Sequence, residues 1–94
     1  VYAPEAEEQI VELHGYLANA ASINIADRYI DSLIAYCESL TNFPERGARR
    51  NDIRPGLRIT HHRGKTAIAF TGSPEFIKIL GVFHGGRNYV AELG

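Results

Sequence analysis

The spacing of apolar residues changes character once along this chain, at Pro44, and that change sets the order of its secondary structure. Before it, Ala6, Ile10, Leu13, His14, Leu17 and Ala21 recur at helical spacing, as do Ala26, Ile30, Leu33, Cys37 and Leu40. A rhythm of about 3.6 residues puts each set on one buried stripe of a helix. Pro4 stands where a first helical turn tolerates proline, and Glu5, Glu7 and Glu8 suit the positive end of the helix dipole. The run "NAASINIA" breaks the period. A second helix is expected from about residue 24 to residue 40, capped by Asn24 or Ser22. The link is short, so the two helices should form an antiparallel hairpin.

Beyond "TNFPERG" the pattern becomes extended. A basic loop, "RGARRNDIRPG", leads into three runs, 57–62, 66–72 and 76–84. Their connectors, "RGK" and "SP", are short enough for hairpins, which predicts an antiparallel meander. In the first run Leu57, Ile59 and His61 should point one way and Arg58, Thr60 and His62 the other. One sheet face would then pack on the helices while the other presents bases. The last run is apolar on both faces and belongs inside the sheet. Val1 and Tyr2 read as a short N-terminal strand. The expected order is β-α-α-β-β-β, an α+β fold with a helical hairpin on a small antiparallel sheet. A chain of 94 residues should make a single domain, 1–94.

Charge is segregated. Residues 1–45 carry eight acids against one base, Arg28, and residues 46–94 carry nine bases against three acids. The net charge of −1 thus hides halves of −7 and +6, which predicts an acidic face and a basic face. No apolar run approaches the roughly 18 residues of a membrane span, and no signal-peptide pattern opens the chain. The single Cys37, on a helical stripe, reads as a buried inert thiol in a reducing compartment. Four scattered histidines and one cysteine lack metal-ligand spacing, so neither a metal nor another cofactor is expected. "GVFHGG" lacks the lysine and helix of a phosphate loop. No recognition helix suggests sequence-specific reading of nucleic acid.

The stretch "VFHGGRNY" gathers His84, Arg87 and Tyr89 just past a strand. A small ribonuclease uses such groups for proton transfer, phosphate charge and base stacking. The same residues also serve to end a strand and turn the chain, with Gly85 and Gly86 supplying unusual backbone angles. Chemistry at a 2′-hydroxyl needs a base, an acid and cations on the phosphate. Carboxylates are absent from residue 53 to residue 74, and His61 and His62 are adjacent and so face opposite ways.

Four segments, "APEAEEQI", "ADRYIDSLIAYCESLTNFPERGAR", "RPGLR" and "IKILGVFHGGRN", occur in this order over nearly the whole chain. Together they resemble the toxins of the ParE/RelE superfamily of bacterial toxin–antitoxin systems. The resemblance implies the fold above and a toxin neutralised by an antitoxin whose C-terminal segment wraps it. One branch of that superfamily, RelE-like, cleaves messenger RNA on the ribosome; the other, ParE-like, blocks DNA gyrase. The ten residues that follow His84, able to form a closing turn or helix, favour the ParE-like side. Gly81 departs from the ParE-like pattern, which often has a bulky or basic residue there, and this leaves toxicity open.

The expectation is therefore a gyrase-inhibiting toxin of the bacterial cytoplasm with a ParD-like antitoxin, the alternative being a ribosome-dependent mRNA endoribonuclease. Arg49, Arg50, Arg54, Arg58, Arg63 and Arg87 would meet the target by charge complementarity. Leu17, Tyr16, Tyr29 and Tyr36 are candidate antitoxin anchors, with core-edge packing as the other role open to the aromatics. No catalytic residue is expected of an inhibitor. A nuclease would draw on His84, Arg58 and Arg87.

Overall fold

The computed structural model describes residues 1–73 and 75–94. Two helices, α1 (Pro4–Ala20) and α2 (Ile23–Ser39), precede four strands. These are β1 (Ala48–Arg49), β2 (Arg58–His62), β3 (Thr66–Gly72) and β4 (Ile77–His84), followed by a short α3 (Tyr89–Leu93). The strands form one antiparallel sheet in the order β1-β2-β3-β4, so the architecture is α+β as expected. The Ser-Pro connector expected between β3 and β4 includes Pro74, which lies outside the described residues.

Local chemistry explains the helix boundaries. Pro4 occupies the start of α1, where its missing N–H costs nothing, with Glu5 and Glu7 in the first turn. Ser22, rather than Asn24, caps α2: its Oγ accepts from the Ile25 backbone N–H at 3.1 Å. The α2 stripe is buried at all five expected positions, Ala26, Ile30, Leu33, Cys37 and Leu40. On α1, Ala6 and Leu13 are buried, Ile10, His14 and Leu17 half-buried, and Ala21 exposed beyond the helix end. His14 Nε2 meets Asp27 Oδ1 at 2.7 Å and ties the two helices together. Burial pushes the Cys37 thiol up to about 11, so it stays protonated at neutral pH.

The main core lies between the hairpin and the sheet, where Leu33, Leu40, Ile68, Phe70 and Ile79 are almost fully enclosed. The N-terminal run makes a single parallel bridge, Tyr2 to Ile79. Ala3 N–H donates to Ile79 O and Ile79 N–H to Val1 O, each at 2.8 Å, which places β4 between two neighbours over this stretch.

The expected basic sheet face is not present, and this is a correction. Thr60 and His62 lie under α2, while Leu57, Ile59, Ala67, Ala69 and Phe83 on the opposite face form a second small core. Leu93 of α3 closes that core. Among the described residues, only the bases Arg49, Arg58 and Lys78 stand on strands; the other lysines and arginines of this half sit in loops and turns. The physical reason is that both sheet faces carry enough apolar side chains to demand cover.

A register shift after Ala69 leaves Leu80 as the extra residue of a bulge in β4. Next to it, Gly81 has no room for a side chain, since a Cβ there would fall 2.6 Å from the Phe83 ring. Gly85 and Gly86 take φ of +72° and +74° and turn the chain away from β4, as the sequence suggested.

Candidate functional site

A polar seam runs between α2 and the sheet. Tyr36 Oη and Thr60 Oγ1 are 2.7 Å apart, Tyr29 Oη bonds Thr66 Oγ1, and Thr66 Oγ1 meets His84 Nδ1 at 2.8 Å. Ser32 Oγ donates to the Tyr29 carbonyl at 2.9 Å and lies 3.0 Å from His62 Nε2. A hydroxyl has one proton to give, so His62 is the donor in the second bond and carries its proton on Nε2. Both Tyr29 and Tyr36 also pack their rings on His62, with centroids 5.5 and 5.2 Å away. Burial, with Arg63 adding to it, holds His62 below the ordinary histidine value, and burial with Lys65 does the same to His84.

A cleft of about 300 Å³ opens beside this seam, between α1 and the end of β4. Gln9, Glu12, Leu13, Tyr16, Val82, His84, Gly85 and Arg87 line it. The Gln9 amide oxygen accepts from Val82 N–H at 2.7 Å, so the helix caps part of the strand edge. Tyr16 is 61% exposed, and its ring centroid stands 6.3 Å from that of His84. Arg87 is held by Glu92 in a two-pronged pair at 2.8 and 2.9 Å.

Arg58 lies elsewhere. It lines a cleft of about 530 Å³ at the other end of the sheet, with Arg49 and Asn51. Its guanidinium donates to the carbonyls of Glu45, Arg46 and Gly47 and fastens the loop before β1. Arg58 is opposite Phe70 on β3, and His84 is opposite Thr66. At about 3.3 Å per residue, those four steps alone separate them by about 13 Å. The structure thus brings His84 and Arg87 to one cleft and leaves Arg58 out.

The remaining arginines divide by partner. Arg50 pairs with Asp52 at 2.9 and 3.0 Å, and Arg54 donates to the Leu93 carbonyl at 3.1 Å. Arg49 and Arg63 are exposed and have no carboxylate partner among the described residues. Of the proposed anchors, Tyr16 is exposed, Leu17 is half-buried against the main core, and Tyr29 and Tyr36 are occupied in the seam. Ser32, Thr60, His62 and Thr66 were missed by the sequence reading. Their one local signal is that Thr60 and His62 share a strand face, opposite to that of Leu57 and Ile59.

Among the described residues, no group of three or more His, Cys, Asp or Glu side chains is placed to hold a metal. No helix of the described residues is long and apolar enough to cross a membrane. No sequence among the curated proteins matches the chain. Among solved structures, one from the "Chromosomal ParDE TA system from P. aeruginosa" has a TM-score of 0.75 at 18% identity. The match covers 89% of this chain and 91% of that one, which is a likeness of fold. The family described as "ParE toxin of type II toxin-antitoxin system, parDE" matches residues 1–89. A match over so much of the chain, on the fold that the resemblance implied, means that the chain belongs to the ParE toxin family of type II toxin–antitoxin systems.

Proposed function

We propose that this chain acts as a single-domain toxin that inhibits DNA gyrase by binding it, and that a ParD-like antitoxin neutralises it in the bacterial cytoplasm. The observation that carries this reading is the dispersal of the groups a nuclease would need. Arg58 is committed to three backbone carbonyls, Arg87 to Glu92, and His84 to Thr66. A phosphodiester needs its cations and its base converging on one phosphate, and two of these groups stand at opposite ends of the sheet.

Arg49 and Arg63 lead the candidate target contacts, because their charge is not offset by a neighbouring carboxylate. For the antitoxin, Tyr16 and Leu17 are the anchors, an exposed ring beside a half-buried aliphatic chain on the same helix. The likeness to the P. aeruginosa ParDE system supports a partner of ParD type.

A supercoiling reaction tests the reading. Purified protein should stop gyrase from supercoiling relaxed plasmid, and co-expressed antitoxin should restore activity. Unimpaired supercoiling at a large molar excess of the protein would sink it.

A further inference from the structure

The cleft between α1 and β4 has a charge balance and a shape that specify what it accepts. Glu12 has no basic partner among the described residues, whereas the charge of Arg87 is offset by Glu92. His84 spends Nδ1 on Thr66, and its burial favours the neutral ring. The cleft therefore carries about one net negative charge. Two aromatic rings, Tyr16 and His84, with centroids 6.3 Å apart and tilted by 53°, line it together with the aliphatic Leu13 and Val82. A planar cation on an aliphatic stem suits this lining: charge to Glu12, its face to a ring, methylenes to the aliphatic side chains.

We infer that this cleft receives the guanidinium of an arginine carried by the antitoxin. An ammonium would satisfy the charge but could neither stack flat on a ring face nor make a two-pronged contact with a carboxylate. Glu12 also lines a second, open cleft along α1, together with Glu7, Glu8 and the exposed Val11. The two clefts adjoin, so a segment seated by its arginine continues along an acidic, partly apolar helix face. The −7 charge of the first 45 residues would steer such a cationic segment toward it. The inference rests on the proposed antitoxin contact only for the identity of the partner.

The test uses N-acetyl-arginine amide as probe, with its lysine and citrulline counterparts, titrated into the whole protein and followed by NMR. The arginine probe should give saturable shifts centred on Glu12, Tyr16 and His84. The lysine probe should bind more weakly and the neutral citrulline probe about tenfold more weakly. Glu12→Gln and Tyr16→Ala, both at exposed positions, should each lower affinity several-fold while leaving the rest of the spectrum in place. Equal binding of arginine and citrulline, shifts scattered over the surface, or full affinity in Glu12→Gln overturns the inference. Arginine binding without gyrase inhibition leaves the pocket standing and removes the gyrase reading; gyrase inhibition without arginine binding does the reverse.

Discussion

Two residues two positions apart, Gly81 and Phe83, compete for one space on the sheet. A methyl group at 81 would lie 2.6 Å from the Phe83 ring, so the aromatic has taken the place a larger residue 81 would fill. Gly81→Ala should destabilise the fold by about 1–3 kcal/mol, the usual cost of overpacking. Phe83→Leu should relieve much of that cost in the double variant, a coupling that urea melts of the four species will measure. Additive effects would mean that the ring moves freely. The seam makes a second prediction, on pH. His62 and His84 are held below the ordinary histidine value by burial, so the unfolded chain takes up their protons first. Their stabilisation is complete above the ordinary value, about 6.5, and is lost as pH falls through their lowered values. Melting temperature should therefore drop between pH 7 and pH 5, with a shallower slope in His62→Gln; a flat or rising profile contradicts the neutral seam. None of this network was legible in the sequence. Tyr36 reaches Thr60 across 24 residues and Tyr29 reaches Thr66 across 37, pairings that depend on how α2 lies over the sheet.

At the scale of elements, much was legible where a pattern repeats. The α2 stripe recurs often enough to be read, and short connectors bound the three extended runs, so the observed helix and the last three strands follow the pattern. What escaped was built by partners rather than by local preference. The two-residue β1 exists because Ala48 and Arg49 pair with Ile59 and Arg58. The loop before β1 holds its course because Arg58 donates to its carbonyls. Arg58→Ala should raise amide exchange across residues 45–50 and cost about 1–3 kcal/mol, since hydrogen bonds to a charged donor are lost. Arg58→Lys should recover little, because an ammonium lacks the fork. Exchange unchanged in both variants would show that the loop does not depend on this residue. Ser22→Ala should cost about 1 kcal/mol through loss of the α2 cap, measured by chemical denaturation.

For the whole molecule, the segregation of charge seen in the sequence survives folding, but the layers do not divide as expected. The acids lie mainly on the helical hairpin, while the bases gather in loops and turns around a sheet whose two faces are both covered. Any target contact through the basic half is therefore made by rims and edges. The candidate trio was readable as residue types and not as a site. His84 and Arg87 stay together because they are neighbours in sequence, whereas the position of Arg58 follows from the register of β2 on β3. The central claim is that this toxin binds a macromolecule without cutting one. Ribosomes programmed with a defined transcript, incubated with the purified protein, test it most directly. The account predicts an intact transcript from a preparation that abolishes gyrase supercoiling in parallel; codon-specific cleavage that disappears in His84→Ala would contradict it.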